Sequence, residues 1–98
     1  MTEFLLGSIL REMYDSASGG EQAANIHLFG IYYAETIVNG QSNKKEILKA
    51  AGLPDSYHIE VNKGVKLAKY AEIKEAQIQR IQKIQRMIKD GVSGAFEH

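Results

Sequence analysis

Lys63, Lys66 and Lys69 recur at three-residue steps, with Asn62 and His58 before them and Ser56 and Tyr57 just upstream of those. Ammonium groups at helical spacing neutralise phosphates, and their affinity falls as salt rises. Asn62 offers the paired donor and acceptor that match an adenine edge, and His58 can donate or accept at a guanine edge. Ser56 and Tyr57 stand where the start of a recognition helix meets base edges. Lys44 and Lys45, at the start of the preceding segment, would add phosphate contacts. Two features oppose this chemistry. Glu60 would repel a backbone it faced, and a lysine face needs no ligand to be stable in water.

Other chemistries are poorly supplied. Within the sequence, the neighbouring imidazole–carboxylate pairs are His27 with Glu35, two helical turns apart, and His58 with Glu60. Neither places a nucleophile beside an oriented base, so no catalytic residue is expected. Gly19-Gly20 lacks the Lys-Ser/Thr sequel of a phosphate-binding loop. The histidines have no companions at metal-ligand spacing, and with no Cys there is no thiolate site or disulfide. No metal or cofactor is expected.

Four helices must carry these residues. Leu6, Ile9, Leu10 and Met13 form one stripe of a first helix, with Thr2 and Glu3 suited to its start and Ser16–Gly20 as the loop after it. A second helix runs from Glu21 to about Val38 and buries Ile26, Phe29, Gly30, Tyr33 and Ile37. Gly30 costs roughly 1 kcal/mol against Ala in mid-helix, which predicts a second backbone close by. Asn43 and Glu46 match a capping box for a short third helix with Ile47, Leu48 and Ala51 inward. Gly52 fits a left-handed turn, and Pro54 can open the fourth helix. That helix buries Tyr57, Val61, Gly64, Val65 and Ala68, leaving the lysines outward. Gly64 is expected to weaken it, with a short wing as one outcome.

The segment from Ala71 to Asp90 is the strongest helix pattern, since it contains no Gly or Pro. Gly91 to Gly94 should stop it, and the last four residues should fray. Ile78, Ile81, Ile84 and Ile88 suit either the chain's own core or a seam against a second copy. A helix of about 20 residues spans roughly 30 Å, which favours the seam and a homodimer. The bases Arg80, Lys83, Arg86 and Lys89 could extend the basic surface across a neighbouring phosphate track. With Glu72 and Glu75 near the helix start, the better account is the dipole, which favours cations near a C-terminus.

Compared with the usual helix-turn-helix pattern, residues 44–63 agree at Gly52, Leu53 and Val61. Leu48 stands where a small residue would let the two helices approach. His58 stands where an apolar one is expected, although a turn longer by one residue would put Ile59 there. At 98 residues and 44% hydrophobic content, the chain suits one small ordered domain. Its net charge of zero hides an asymmetry. Residues 1–40 hold one base against five acids, a balance of −4, and residues 41–98 eleven against seven, a balance of +4. The second half is thereby suited to an acidic partner. Solvated surface helices, or attraction between the two halves of different copies, would also account for it. No signal peptide or membrane span is expected, and the absence of Cys suits a cytoplasmic setting.

The stretches IHLFGIYYAETI (26–37) and KKEILKAAGLPDSYHIEVNKGVKLAKYAEIK (44–74) resemble a family of small bacterial helix-turn-helix-like proteins. The resemblance covers somewhat more than half of the chain. It implies DNA binding, in mobile-element or defence settings, and transfers no binding residues.

The expectation is therefore an all-α bundle in a single domain, 1–98, with a helix-turn-helix-like unit at about 43–69 and a C-terminal helix at about 71–90. Two functions fit it. One is a small dimeric transcriptional regulator that binds double-stranded DNA. The other is a protein-interaction module, a phage- or defence-associated adaptor or inhibitor without nucleic-acid binding.

Overall fold

The computed structural model describes the backbone of residues 1–97 and the side chains of residues 1–91. The described residues are all-α: α1 (Glu3–Asp15), α2 (Gln22–Tyr32), α3 (Ala34–Asn39), α4 (Lys44–Ala51), a 3-10 turn (Asp55–Tyr57), α5 (His58–Leu67) and α6 (Glu75–Glu97). No strand occurs among them, so no wing comes after Gly64. None of the described helices is long and apolar enough to cross a membrane.

Local chemistry accounts for most helix ends. Thr2 caps α1 by accepting from the Leu5 N–H at 3.1 Å. The Asn43 side chain accepts from the N–H groups of Lys45 and Glu46 at the start of α4. Each cap satisfies donors that a first turn leaves without partners. Gly52 closes α4 at φ 69°, the left-handed conformation that favours glycine.

The helices assemble as two pairs, α1 on α4 and α2 on α5, with α1 also packed on α2 and α6 laid against α1. Glycines set both close approaches. A Cβ at Gly7 would lie 2.6 Å from the Ala50 Cβ and 2.6 Å from the Ile47 carbonyl oxygen of α4. A Cβ at Gly30 would meet the Val61 carbonyl oxygen at 2.5 Å and the Gly64 Cα at 2.9 Å, and one at Gly64 would collide with the His27 carbonyl. The backbone expected beside Gly30 is that of α5. Gly64, expected to weaken its helix, is the other half of this crossing and lies within α5. Leu48 fits α4 without strain on the fold because the tight contact of α5 is with α2. It is fully buried, as are Leu6, Ile9, Leu10, Met13, Phe29, Ile47, Val61 and Ile81.

Three expectations change. The single helix from Glu21 to Val38 is divided at Tyr33, where φ −99° and ψ 16° depart from helical values. The Tyr33 ring is buried 5.2 Å from Phe29, and its hydroxyl donates to Gln85 Oε1 of α6 at 2.7 Å. Second, α6 starts at Glu75 rather than Ala71 and continues through Gly91 to Glu97; His98 lies outside the described residues. A single glycine is a propensity cost of about 1 kcal/mol rather than a stop. Because α6 is longer, its last turn carries no base, and the dipole does not explain Lys83, Arg86 and Lys89. Third, Ile81 and Ile84 belong to the chain's own core, Ile88 packs against that core and Ile78 is half-buried. Of the seam expected to face a second copy, Ile81 and Ile84 are thus taken up within the chain itself.

Candidate nucleic-acid interface

The turn from Gly52 to Pro54 and the 3-10 turn after it redirect the chain between α4 and α5, giving the helix-turn-helix-like unit its shape. Leu53 is buried beneath it. The guanidinium of Arg11 reaches from α1 to the carbonyls of Ala51 and Gly52, both at 3.4 Å, while its Nε is paired with Asp15. A cation thus serves the carbonyl end of α4, where the helix dipole is negative. It also holds the turn to the scaffold.

With Val61 and Gly64 buried against α2, the opposite side of α5 faces solvent. Ile59, Lys63 and Lys66 lie on this side at steps of four and three, all exposed, and Tyr70 extends the line beyond the helix end. Asn62 is half-buried beside them and Lys69 is exposed in the turn after α5. Ser56 is exposed ahead of the helix. Tyr57 is half-buried, its ring centroid 6.1 Å from that of Tyr14. His58 Nδ1 donates to the Asp55 carbonyl at 2.7 Å, which orients the ring at the start of α5. Lys44 and Lys45 stand at the start of α4, the first half-buried and the second exposed. Ile59, exposed at 53%, is not the inward residue that a longer turn would have made it.

The electrostatics depend on Glu60. Its two carboxylate oxygens are divided between His27 Nε2 of α2 and Lys63 Nζ, the latter at 3.2 Å. These donors hold its carboxyl below the usual range, His27 having the larger effect and Lys63 the next. Lys63 is therefore partly neutralised, but by an acid of its own helix. Among the described residues, Lys44, Lys45, Lys66 and Lys69 form no ion pair, and the acids of the N-terminal third pair with no lysine of α5. A cationic face remains open.

The imidazole–carboxylate contact joins one member of each pair that the sequence sets side by side. His27 and Glu60 are 33 positions apart, and the α2–α5 crossing brings them together. Sequence reasoning missed this pair because only the packing of those helices defines it. It missed Arg80 as well. That guanidinium donates to Asn25 Oδ1 at 2.9 Å and to Ser16 Oγ at 3.0 Å, tying α6 to α2 and to the loop after α1. Arg80 is a brace and does not extend the basic surface.

A family model for an HTH-like domain matches residues 2–74, about three quarters of the chain. The matched span ends just before α6. Neither the curated proteins nor the solved structures gave a match.

Proposed function

The chain belongs to the family of HTH-like domains, and on that premise we propose that it is a small DNA-binding protein of the regulatory kind that presents α5 to the major groove. The observation that carries this reading is the open cationic surface at the end of α5: Lys66 and, in the turn after it, Lys69 are exposed and make no ion pair among the described residues. Lys66, Lys69 and Lys45 contact phosphates, with Lys63 and Lys44 contributing less, one shared with Glu60 and the other half-buried. Asn62 and His58 read base edges, and Ile59 supplies an apolar contact of the kind that suits a thymine methyl. Ser56 adds a hydroxyl at the entry of the helix. A second half-site would need a dimer, and Ile81 and Ile84, taken up in the chain's own core, are not free to make its contact. No catalytic role is proposed. His27 and Glu60 are read as a tie between α2 and α5.

The test is duplex affinity as a function of salt. Each phosphate neutralised contributes a slope of about −0.9 in log affinity against log salt. Lys66→Glu and Lys69→Glu should each weaken binding and reduce the slope by about one. Absence of binding to mixed-sequence duplex at low salt would remove the reading.

A docking role for a protein partner has one observation in its favour. Val38 and Leu67, at the ends of α3 and α5, are 59% and 42% exposed, and apolar surface left in water is a common mark of a binding face.

A further inference from the structure

Tyr70, immediately beyond α5, is 87% exposed, the most open of the large apolar side chains described. It lines a shallow cleft of about 330 Å³ together with Leu67, Lys63, Lys66 and His27 of α2. The cleft walls are apolar, built from Leu67, the two rings and the lysines, whose stems cover apolar surface while exposed ammonium groups keep to water. The lining carries two lysines, Lys63 and Lys66, and no acid, and the nearby carboxylate of Glu60 contacts Lys63 but makes no ion pair with Lys66. That carboxylate is already taken by His27 and Lys63.

An apolar floor with an aromatic ring and a cationic edge matches one chemistry closely. A nucleotide has a flat base that stacks on an aromatic side chain and a phosphate that an ammonium group neutralises. A base still paired within a duplex offers only its edges in the grooves, so its face is out of reach of a side chain on the protein surface. We infer that the cleft between α2 and the end of α5 is a subsite for one unpaired base of DNA, stacked on Tyr70 with its phosphate held by Lys66 and Lys63. This subsite rests on the DNA-binding reading and extends it to single-stranded or locally opened DNA.

The chain contains no Trp, so Tyr70→Trp places a sole indole in the cleft. Titration with a single-stranded thymidine oligomer of about 12 nucleotides at low salt should quench its fluorescence, and a blunt hairpin duplex should not. By anisotropy with the same two probes, Tyr70→Ala should lower the ratio of single-strand to duplex affinity about tenfold, and Tyr70→Phe, which keeps the ring, should restore it. Duplex binding with an unquenched indole, or with a ratio indifferent to Tyr70→Ala, overturns the subsite and leaves the DNA-binding reading standing. Failure of the unaltered chain to bind either probe at low salt overturns both.

Discussion

Gly30 and Gly64 let the backbones of α2 and α5 touch, and any side chain at either position meets backbone rather than a movable group. Gly30→Ala and Gly64→Ala should each destabilise by about 1–3 kcal/mol through overpacking, despite a helix-propensity gain of about 1 kcal/mol. Urea unfolding measures the difference, and a stabilised variant would mean that the crossing is looser than described. Glu60 predicts a pH effect with a definite sign. Its carboxyl is lowered in the folded chain by His27 and Lys63, so its contribution to stability is present above the ordinary Glu pKa and is lost as pH falls below it. Glu60→Gln should therefore lower the melting temperature at pH 7 and make a smaller difference at pH 3. An equal loss at both pH values would show that its packing, not its charge, matters. Burial raises the pKa of the Tyr33 hydroxyl, which remains a donor to Gln85. The pairings of Gly30 with Gly64, His27 with Glu60 and Tyr33 with Gln85 were not legible in the sequence, because each joins residues from elements far apart along the chain. What could be read was the need for a neighbour at Gly30, since mid-helix glycine costs stability unless packing requires it.

The helix-turn-helix-like unit depends on its ends. Asn43→Ala should cost about 1 kcal/mol by removing the cap of α4. Gly52→Ala should cost about 1–2 kcal/mol, because an L-residue is strained in the left-handed region that Gly52 occupies. Both values can be read from chemical denaturation, and neither variant should change which face of α5 is exposed. These boundaries were visible in the sequence because caps and left-handed turns are chemistry of adjacent residues. The limits of α6 were not. Nothing local forced the helix to begin at Ala71 or to end at Gly91, and it is shifted at both ends. The division at Tyr33 was hidden for the same reason. The apolar pattern is continuous from α2 into α3, and the bend lies at a ring packed on Phe29 and bonded to α6.

Across the whole molecule, α6 lies outside the matched family span yet supplies Ile81 and Ile84 to the common core. Ile81→Ala should cost about 2–5 kcal/mol, as for any large core residue. Ile84→Asp should unfold the chain rather than convert a dimer into folded monomers. Sedimentation and circular dichroism on the same sample separate these outcomes, and a folded monomer from a dimeric parent would restore the seam to an interface. Among the described residues the acids of the first third pair with no lysine of α5, although α1 and α2 pack on α4 and α5, so the bases of the second half are not neutralised by that packing.

The sequence by itself determined the helical class, the capped unit from Asn43 to α5 and the outward lysines. Periodicity, caps and glycine turns act over a few residues and need no knowledge of what lies across the core. Tertiary structure alone decided that His27 meets Glu60, that Arg80 braces α6 and that Ile81 and Ile84 of α6 turn inward. The same apolar stripe can be buried against α1 or against a second copy at similar gain in free energy, because burial is non-directional. The packing of α6 beside α1 takes Ile81 and Ile84 into the chain's own core.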